Sequence, residues 1–399
     1  MIKETLRIRN IGPLRDANLD DIRPVMVLVG ATGAGKSLIL KILAMMRHVA
    51  KKQIIRRALK ASGVTKSVFR LRRDTYLQYS DIEHLVKADS SIEYTLCDDE
   101  IECCVVLDRE NFRTDINGLS DNDAIGPFMK IAFVSDSRNL VASWAKKGAV
   151  IQSKVLDNYF GDTYELWDEA MNAKSETSQD VAFLGLKLKI SLDSGRRKLQ
   201  LEDSTGHTTL FERGASGQKS SIPVAMIVRY LSGAYSFKDD IQHNFVSTIV
   251  TDMVERGADL VDIAERKVAS FRRNYLSIHI EEPELSLDPK TQLSFADDLM
   301  RTLDNAFRSP KTPEVVTSVI FTTHSPYWVT ALNTIVEEGR NSYLTWDRIG
   351  GYLVSDAGDV TSLRDDEGGI LRTPNMDDAT QELDNRYNRA VEQRGVANA

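Results

Sequence analysis

The spacing of apolar and polar residues changes several times along this chain, and each change marks an element. Leu6-Arg7-Ile8-Arg9-Asn10-Ile11 alternates with the period of a half-buried strand, and Ala17-Asn18-Leu19 follows as a short second one. Val25-Met26-Val27-Leu28-Val29 is a continuous apolar run, as in a strand covered on both faces. Leu38-Ile39-Leu40-Lys41-Ile42-Leu43 opens a helix, and Ile54, Ile55, Ala58 and Leu59 form a buried stripe further along. A strand-like hairpin spans Ile92 to Asp108, and residues 144–182 read as a helical lid or arm whose aromatics, Tyr159, Phe160, Tyr164 and Trp167, belong to the core. Leu186-Lys187-Leu188-Lys189-Ile190 and Lys198-Leu199-Gln200-Leu201 are strand-like and lead into a helix over Ile222 to Val228. In residues 235–273, Val246, Val250, Met253, Val254, Leu260, Ile263, Ala264 and Val268 recur at helical spacing. Leu276-Ser277-Ile278-His279-Ile280 alternates like a strand, Ile320-Phe321 is another, and Tyr343-Leu344-Thr345-Trp346 and Gly351-Tyr352-Leu353-Val354 read as closing strands. The result is one α/β domain over residues 1–399, with helical insertions at 47–90, 144–182 and 235–273 and a polar tail at 377–399, a short helix or disordered segment.

The first candidate chemistry lies between the run ending at Val29 and the helix opening at Leu38. Gly30-Ala31-Thr32-Gly33-Ala34-Gly35-Lys36-Ser37 is a complete phosphate-binding loop in strand–loop–helix context. The glycines let successive N–H groups point inward at phosphates, and the positive end of the following helix favours their charge. Lys36 then reaches the β and γ phosphates, and Ser37 holds Mg²⁺.

Three further segments supply candidates for using such a nucleotide. Leu276–Ile280 runs into Glu281-Glu282-Pro283-Glu284, where a carboxylate at a strand end beside a phosphate loop holds Mg²⁺ and its neighbour activates water. Glu281 takes the metal role and Glu282 the water-activating role; alone, the string would read as a solvated acidic turn. His324, at the end of the strand in Thr322-Thr323-His324-Ser325-Pro326, is placed to donate to the γ-phosphate or hold the attacking water. Gly214-Ala215-Ser216-Gly217-Gln218-Lys219-Ser220 is a small-residue helix start with free N–H groups that suit a phosphate arriving from outside.

In this order, the motifs resemble the ATP-binding-cassette-like ATPases of the RecF, SMC and overcoming-lysogenization-defect (OLD) type. The resemblance covers the phosphate loop, residues 214–220 as signature, 280–289 as the Walker B strand with its D-loop, and 322–326 as the H-loop. Glu281-Glu282-Pro283-Glu284 with Leu287-Asp288-Pro289, and Thr322-Thr323-His324-Ser325-Pro326, are similar to strings common in the OLD-like branch. Ile131 to Arg138 looks like a strand-to-arginine element of the same branch. Two departures stand out. Ala215 occupies the place of the phosphate-contacting serine and Ser216 that of the first signature glycine, which implies slower hydrolysis, and Glu281 stands where transporters carry Asp. The resemblance implies an ABC-type fold with antiparallel N-terminal strands and a mostly parallel core sheet. It also implies ATP with Mg²⁺ as ligands, and a head-to-head homodimer in which Ser216, Gly217 and Gln218 of one copy cover the γ-phosphate of the other, with Asp288 at the seam.

Composition narrows the partners. The chain has 51 Lys and Arg against 58 Asp and Glu, a net charge of −7, and no apolar run near the roughly 20 residues of a membrane span, so a cytoplasmic protein without membrane contact is expected. Cys97, Cys103 and Cys104 lack paired metal spacing and read as buried thiols. Between Arg47 and Arg73, Lys51, Lys52, Arg56, Arg57, Lys60, Lys66, Arg70 and Arg72 occur without one acidic residue; such a block is either a nucleic-acid contact or a solvated helix face. No heptad pattern is sustained long enough for an SMC-type arm, and the segment after Gly339 lacks the Asp-x-Asp pair of a Toprim nuclease. The leading expectation is therefore an ATPase that controls a separate effector, a role the resemblance places in bacterial anti-phage defence. Alternatives are a RecF-like ATPase acting on DNA through the basic block and a scaffold that holds ATP without hydrolysing it.

Overall fold

The computed structural model describes residues 2–64, 70–99, 101–108, 112–117, 126–144, 158–173, 178–193, 196–256, 268, 270–309, 314–372, 382 and 385–389. Lys66, Leu260, Ile263, Ala264, residues 145–157 of the expected arm and almost all of the 377–399 tail lie outside the described residues.

Two sheets enclose one long helix. Strands β1 (Ile2–Ile11), β2 (Leu14–Leu19), β4 (Val86–Asp98), β5 (Ile101–Leu107) and β6 (Phe112–Asn117) form an antiparallel sheet in the order β2-β1-β4-β5-β6. The second sheet is built around β3 (Val25–Gly30) and β7 (Pro127–Val134), with β12 (Arg273–Glu281), β13 (Val315–Thr323), β14 (Ile349–Val354) and β15 (Val360–Ser362), in the order β15-β14-β3-β13-β12-β7. All its neighbours pair in parallel except β14 with β15. Helix α1 (Lys36–Ala61) packs against strands of both sheets, which explains why its apolar residues, Ile54, Ile55, Ala58 and Leu59 included, are buried. A small antiparallel sheet of β8 (Ser178–Val181), β9 (Leu186–Asp193), β10 (Arg196–Glu202) and β11 (Thr208–Leu210) leads into α5 (Ser216–Arg229). Further helices among the described residues are α2 (Arg73–Tyr79), α3 (Val141–Trp144), α4 (Asn158–Asn172), α6 (Phe237–Ile241), α7 (Ser247–Glu255), α8 (Pro289–Arg308) and α9 (Pro326–Glu338).

Strand β12 is buried from Asn274 to Glu281, its polar positions included. Its polar positions are absorbed by Arg47, which donates to Ser277 Oγ at 2.6 Å, lies 3.3 Å from His279 Nε2, and pairs with Glu4 through Nε at 2.9 Å. Glu4 also accepts from the hydroxyls of Tyr275, at 2.7 Å, and Tyr94. Arg47, fully buried, is thus a core residue and not part of a basic surface. Helix α4 packs on β7 and α5 with Tyr159, Phe160, Leu166 and Trp167 buried, so its described part is no projecting arm, and residues 178–181 at its expected end form β8. In α7 the buried positions are Ile249 and Asp252, while Val254 is exposed, one step round the helix from the expected stripe. Tyr343 to Thr345 is irregular and Trp346–Arg348 a short turn; Tyr343 is buried as a packing residue whose hydroxyl donates to Thr317 O at 3.1 Å. Of the three thiols only Cys103 is fully buried, which pushes it up to about 12; Cys97 and Cys104 are half-buried on the β4–β5 hairpin.

Candidate nucleotide site

Residues 30–37 turn between β3 and α1. Gly35 sits at φ 112°, a conformation that side chains rarely adopt, and a Cβ there would meet Leu14 Cδ2 at 2.8 Å. Ala31, Thr32 and Gly33 form the exposed tip, Ala34 is buried, and Ala34 N–H donates to Ala31 O at 3.3 Å. Lys36 folds back across the loop and donates to Gly30 O and Ala31 O, both at 2.8 Å. Burial lowers its pKa to about 8, against the pull of Glu282 and Glu284.

The ends of β12 and β13 bring the candidate acids and His324 to this loop, because parallel neighbours end on the same side of a sheet. Glu281 is buried beside Ser37, and it accepts from Asp136 N–H at 3.2 Å. Burial, reinforced by the nearby Asp136 charge, raises its pKa to about 7. Such a carboxylate, desolvated and beside a serine hydroxyl, is a hard-oxygen donor set that fits a small divalent cation. Glu282 follows at φ 42°, uncommon for a residue with a side chain. Its N–H donates to Thr322 O at 3.1 Å and Thr322 Oγ1 at 3.2 Å, which fixes the turn. The Glu282 carboxylate lies 3.2 Å from His324 Nε2, and His324 Nδ1 lies 3.4 Å from Lys36 Nζ. An ammonium only donates, so Nδ1 accepts and Nε2 carries the proton toward Glu282. Burial and then Lys36 lower the His324 pKa, in keeping with a neutral ring.

Two supports were not assigned roles from sequence. Glu284 is buried and accepts from Thr323 Oγ1 at 2.5 Å and from His324 N–H at 2.9 Å, anchoring the turn that presents His324. Gln292 donates to Leu287 O at 2.9 Å while its own oxygen accepts from Ser325 Oγ at 2.5 Å, joining residues 287 and 325. Both belong to quoted strings or their flanks, but a buried second-layer carboxylate and a bridging amide leave no distinct signature in spacing.

Ser216, Gly217 and Gln218 lie in the first turn of α5. Ser216 opens α5 and is exposed, and the Gln218 side chain turns back to accept from Ala215 N–H at 2.9 Å. Gly217 packs so close to the turn after Glu284 that a Cβ would meet Ser286 O at 2.7 Å and Leu287 Cδ2 at 3.0 Å. Asp288 caps α8, accepting from Lys290 N–H at 3.1 Å and Thr291 N–H at 3.2 Å, and its position is exposed.

No family model matches the chain, and no curated protein matches it in sequence. Among solved structures, the chain is similar to an SMC head domain from Thermotoga maritima, at 11% identity and TM-score 0.40 over 91% of this chain and 99% of that one. It is similar to an SMC head bound to the C-terminal winged-helix domain of ScpA, at 13% identity and TM-score 0.44 over 92% and 98%. A third is the SMC head with an extended coiled coil, bound to the C-terminal domain of ScpA, from Pyrococcus furiosus, at 11% identity and TM-score 0.44 over 97% and 100%. Among the described residues, no helix is long and apolar enough to cross a membrane.

Proposed function

We propose that this chain is an ATPase that binds ATP at residues 30–37, closes the site with a second copy of itself, and uses binding and hydrolysis to control a separate effector. The observation that carries this reading is the meeting of Lys36, the Ser37–Glu281 pair and the Glu282–His324 pair at the ends of three neighbouring parallel strands. Ser37 and Glu281 would hold Mg²⁺, which supplies charge compensation for the phosphates when bound. Glu282 takes a proton from the water attacking the γ-phosphorus as the bond to the bridging oxygen breaks and ADP leaves, and His324 holds Glu282 in place. The exposed helix start at Ser216 supports completion by a second copy, since its N–H groups are open to a phosphate from outside the chain. The effector and a role in anti-phage defence rest on the sequence strings alone.

A DNA-acting ATPase is the second reading, favoured by the exposure of Arg56, Lys60, Arg70 and Arg72 once Arg47 is removed from the block. Arg57 is committed elsewhere, donating to Ile116 O at 2.6 Å, and Lys51 is half-buried over the Phe128 ring. Steady-state ATP hydrolysis with and without linear double-stranded DNA separates the two. The effector-controlling reading expects a DNA-indifferent rate that Glu282→Gln lowers by about 10²-fold or more. Strong DNA stimulation, abolished by charge reversal at Arg56, Arg70 and Arg72, would move the assignment to the second reading. A Glu282→Gln rate equal to the unaltered chain's would remove Glu282 from the chemistry.

A further inference from the structure

Arg138 is fully buried, yet its hydrogen bonds go to main-chain carbonyls from three separate parts of the fold. Nε donates to Ser220 O at 2.7 Å in the first turns of α5. Nη1 donates to Glu281 O at 2.6 Å and Ser135 O at 3.1 Å, and Nη2 to Glu282 O at 2.5 Å. Burial lowers its pKa to about 10, and the nearby Glu284, Asp136, Glu281 and Glu282 favour the charged form. A guanidinium offers five donors in a fixed planar fork, so its bonded carbonyls are held at set distances from one another. Burying a cation is costly, and here its bonds to four carbonyls and the nearby carboxylates offset that cost.

We infer that Arg138 is a positioning residue that couples the nucleotide-facing turn at Glu281–Glu282 to helix α5, so that a change at one is transmitted to the other. Each link is on one continuous path. The Glu281 carboxylate lies beside Ser37 of the loop and the Glu282 carboxylate lies 3.2 Å from His324, while their carbonyls are both held by Arg138. Arg138 then grips the carbonyl of Ser220, whose hydroxyl donates to Leu285 O at 2.6 Å and to Gly217 O at 3.1 Å. Displacement of the turn therefore strains bonds to α5 directly, four residues from the exposed start of that helix. The uncommon backbone of Glu282 is pinned on its carbonyl side by the same guanidinium, which links the aim of the proposed water-activating carboxylate to the position of α5.

This inference rests on the ATPase reading, and its test separates the two. Amide hydrogen exchange of residues 216–221 is followed with and without ATP and Mg²⁺ in the unaltered chain, Arg138→Met and Arg138→Lys, alongside ATP affinity and turnover. Coupling predicts that ATP alters exchange at 216–221 in the unaltered chain. In Arg138→Met, ATP affinity stays within about threefold, the response at 216–221 disappears, and turnover falls about tenfold or more. If Met at 138 prevents folding, Arg138→Lys carries the test: one ammonium cannot span Ser220 O and Glu282 O together, so the response weakens while ATP still binds. An undiminished response at 216–221 in the folded variant overturns the coupling while leaving the ATPase reading standing. Absence of ATP binding by the unaltered chain overturns both.

Discussion

At the residue scale, single atoms decide what the site can do. Gly217 is one such position. Its missing Cβ lets α5 approach Ser286 O within a distance that no side chain tolerates, and that approach sets the start of α5 against the turn after the acidic residues. Gly217→Ala is expected to push the Ser286–Leu287 turn away, lowering ATP turnover several-fold while ATP affinity at residues 30–37 holds; unchanged turnover would mean that the approach has no part in the site. The loop and the acid pair were legible because phosphate loops and strand-end carboxylates require fixed residue types at fixed spacing. Glu284 as anchor of the His324 turn was not legible, because its role depends on which side chain a turn happens to face. Asp288 shows the reverse case: its identity in the sequence suggested a seam residue, and within the chain it caps a helix.

The element scale explains why β12 and α1 read only partly from their sequences. Ser277 and His279 alternate with apolar residues in β12, and α1 covers them and brings Arg47 to meet them, a partner that strand spacing does not reveal. The two sheets are joined through this contact, since Arg47 bridges Glu4 of β1 to β12, and Ser318 Oγ on β13 lies 3.3 Å from Arg47 Nη2. Leaving a buried guanidinium without its carboxylate is expensive, so Glu4→Gln is expected to cost about 3–5 kcal/mol of stability in denaturant titration. A loss below about 1 kcal/mol would show that Ser277, His279 and Ser318 suffice for Arg47. By contrast, β3 and the following helix start were fully readable, because a strand buried on both faces is a continuous apolar run and the loop supplies its own punctuation.

At the scale of the whole molecule, the parallel sheet gathers residues 30–37, 281, 282 and 324 on one side, while the antiparallel sheet and α1 brace it from behind. Ser216 is exposed at the start of α5 while Gly217 is buried against Ser286 and Leu287, an arrangement that supports the proposed closure by a second copy of the chain. Among its described residues, the basic segment that looked continuous in sequence is split by folding into a core residue, half-buried stems and four exposed cations, two of them on α1 and two beyond its end. The central claim is that residues 30–37 bind a nucleoside triphosphate, and equilibrium binding of ATP with Mg²⁺ to the unaltered chain and to Lys36→Ala tests it most directly. Saturable binding near one ATP per chain, lost or weakened at least about tenfold in Lys36→Ala, is the predicted result. Absence of saturable binding, or equal affinity in the two proteins, would contradict the account.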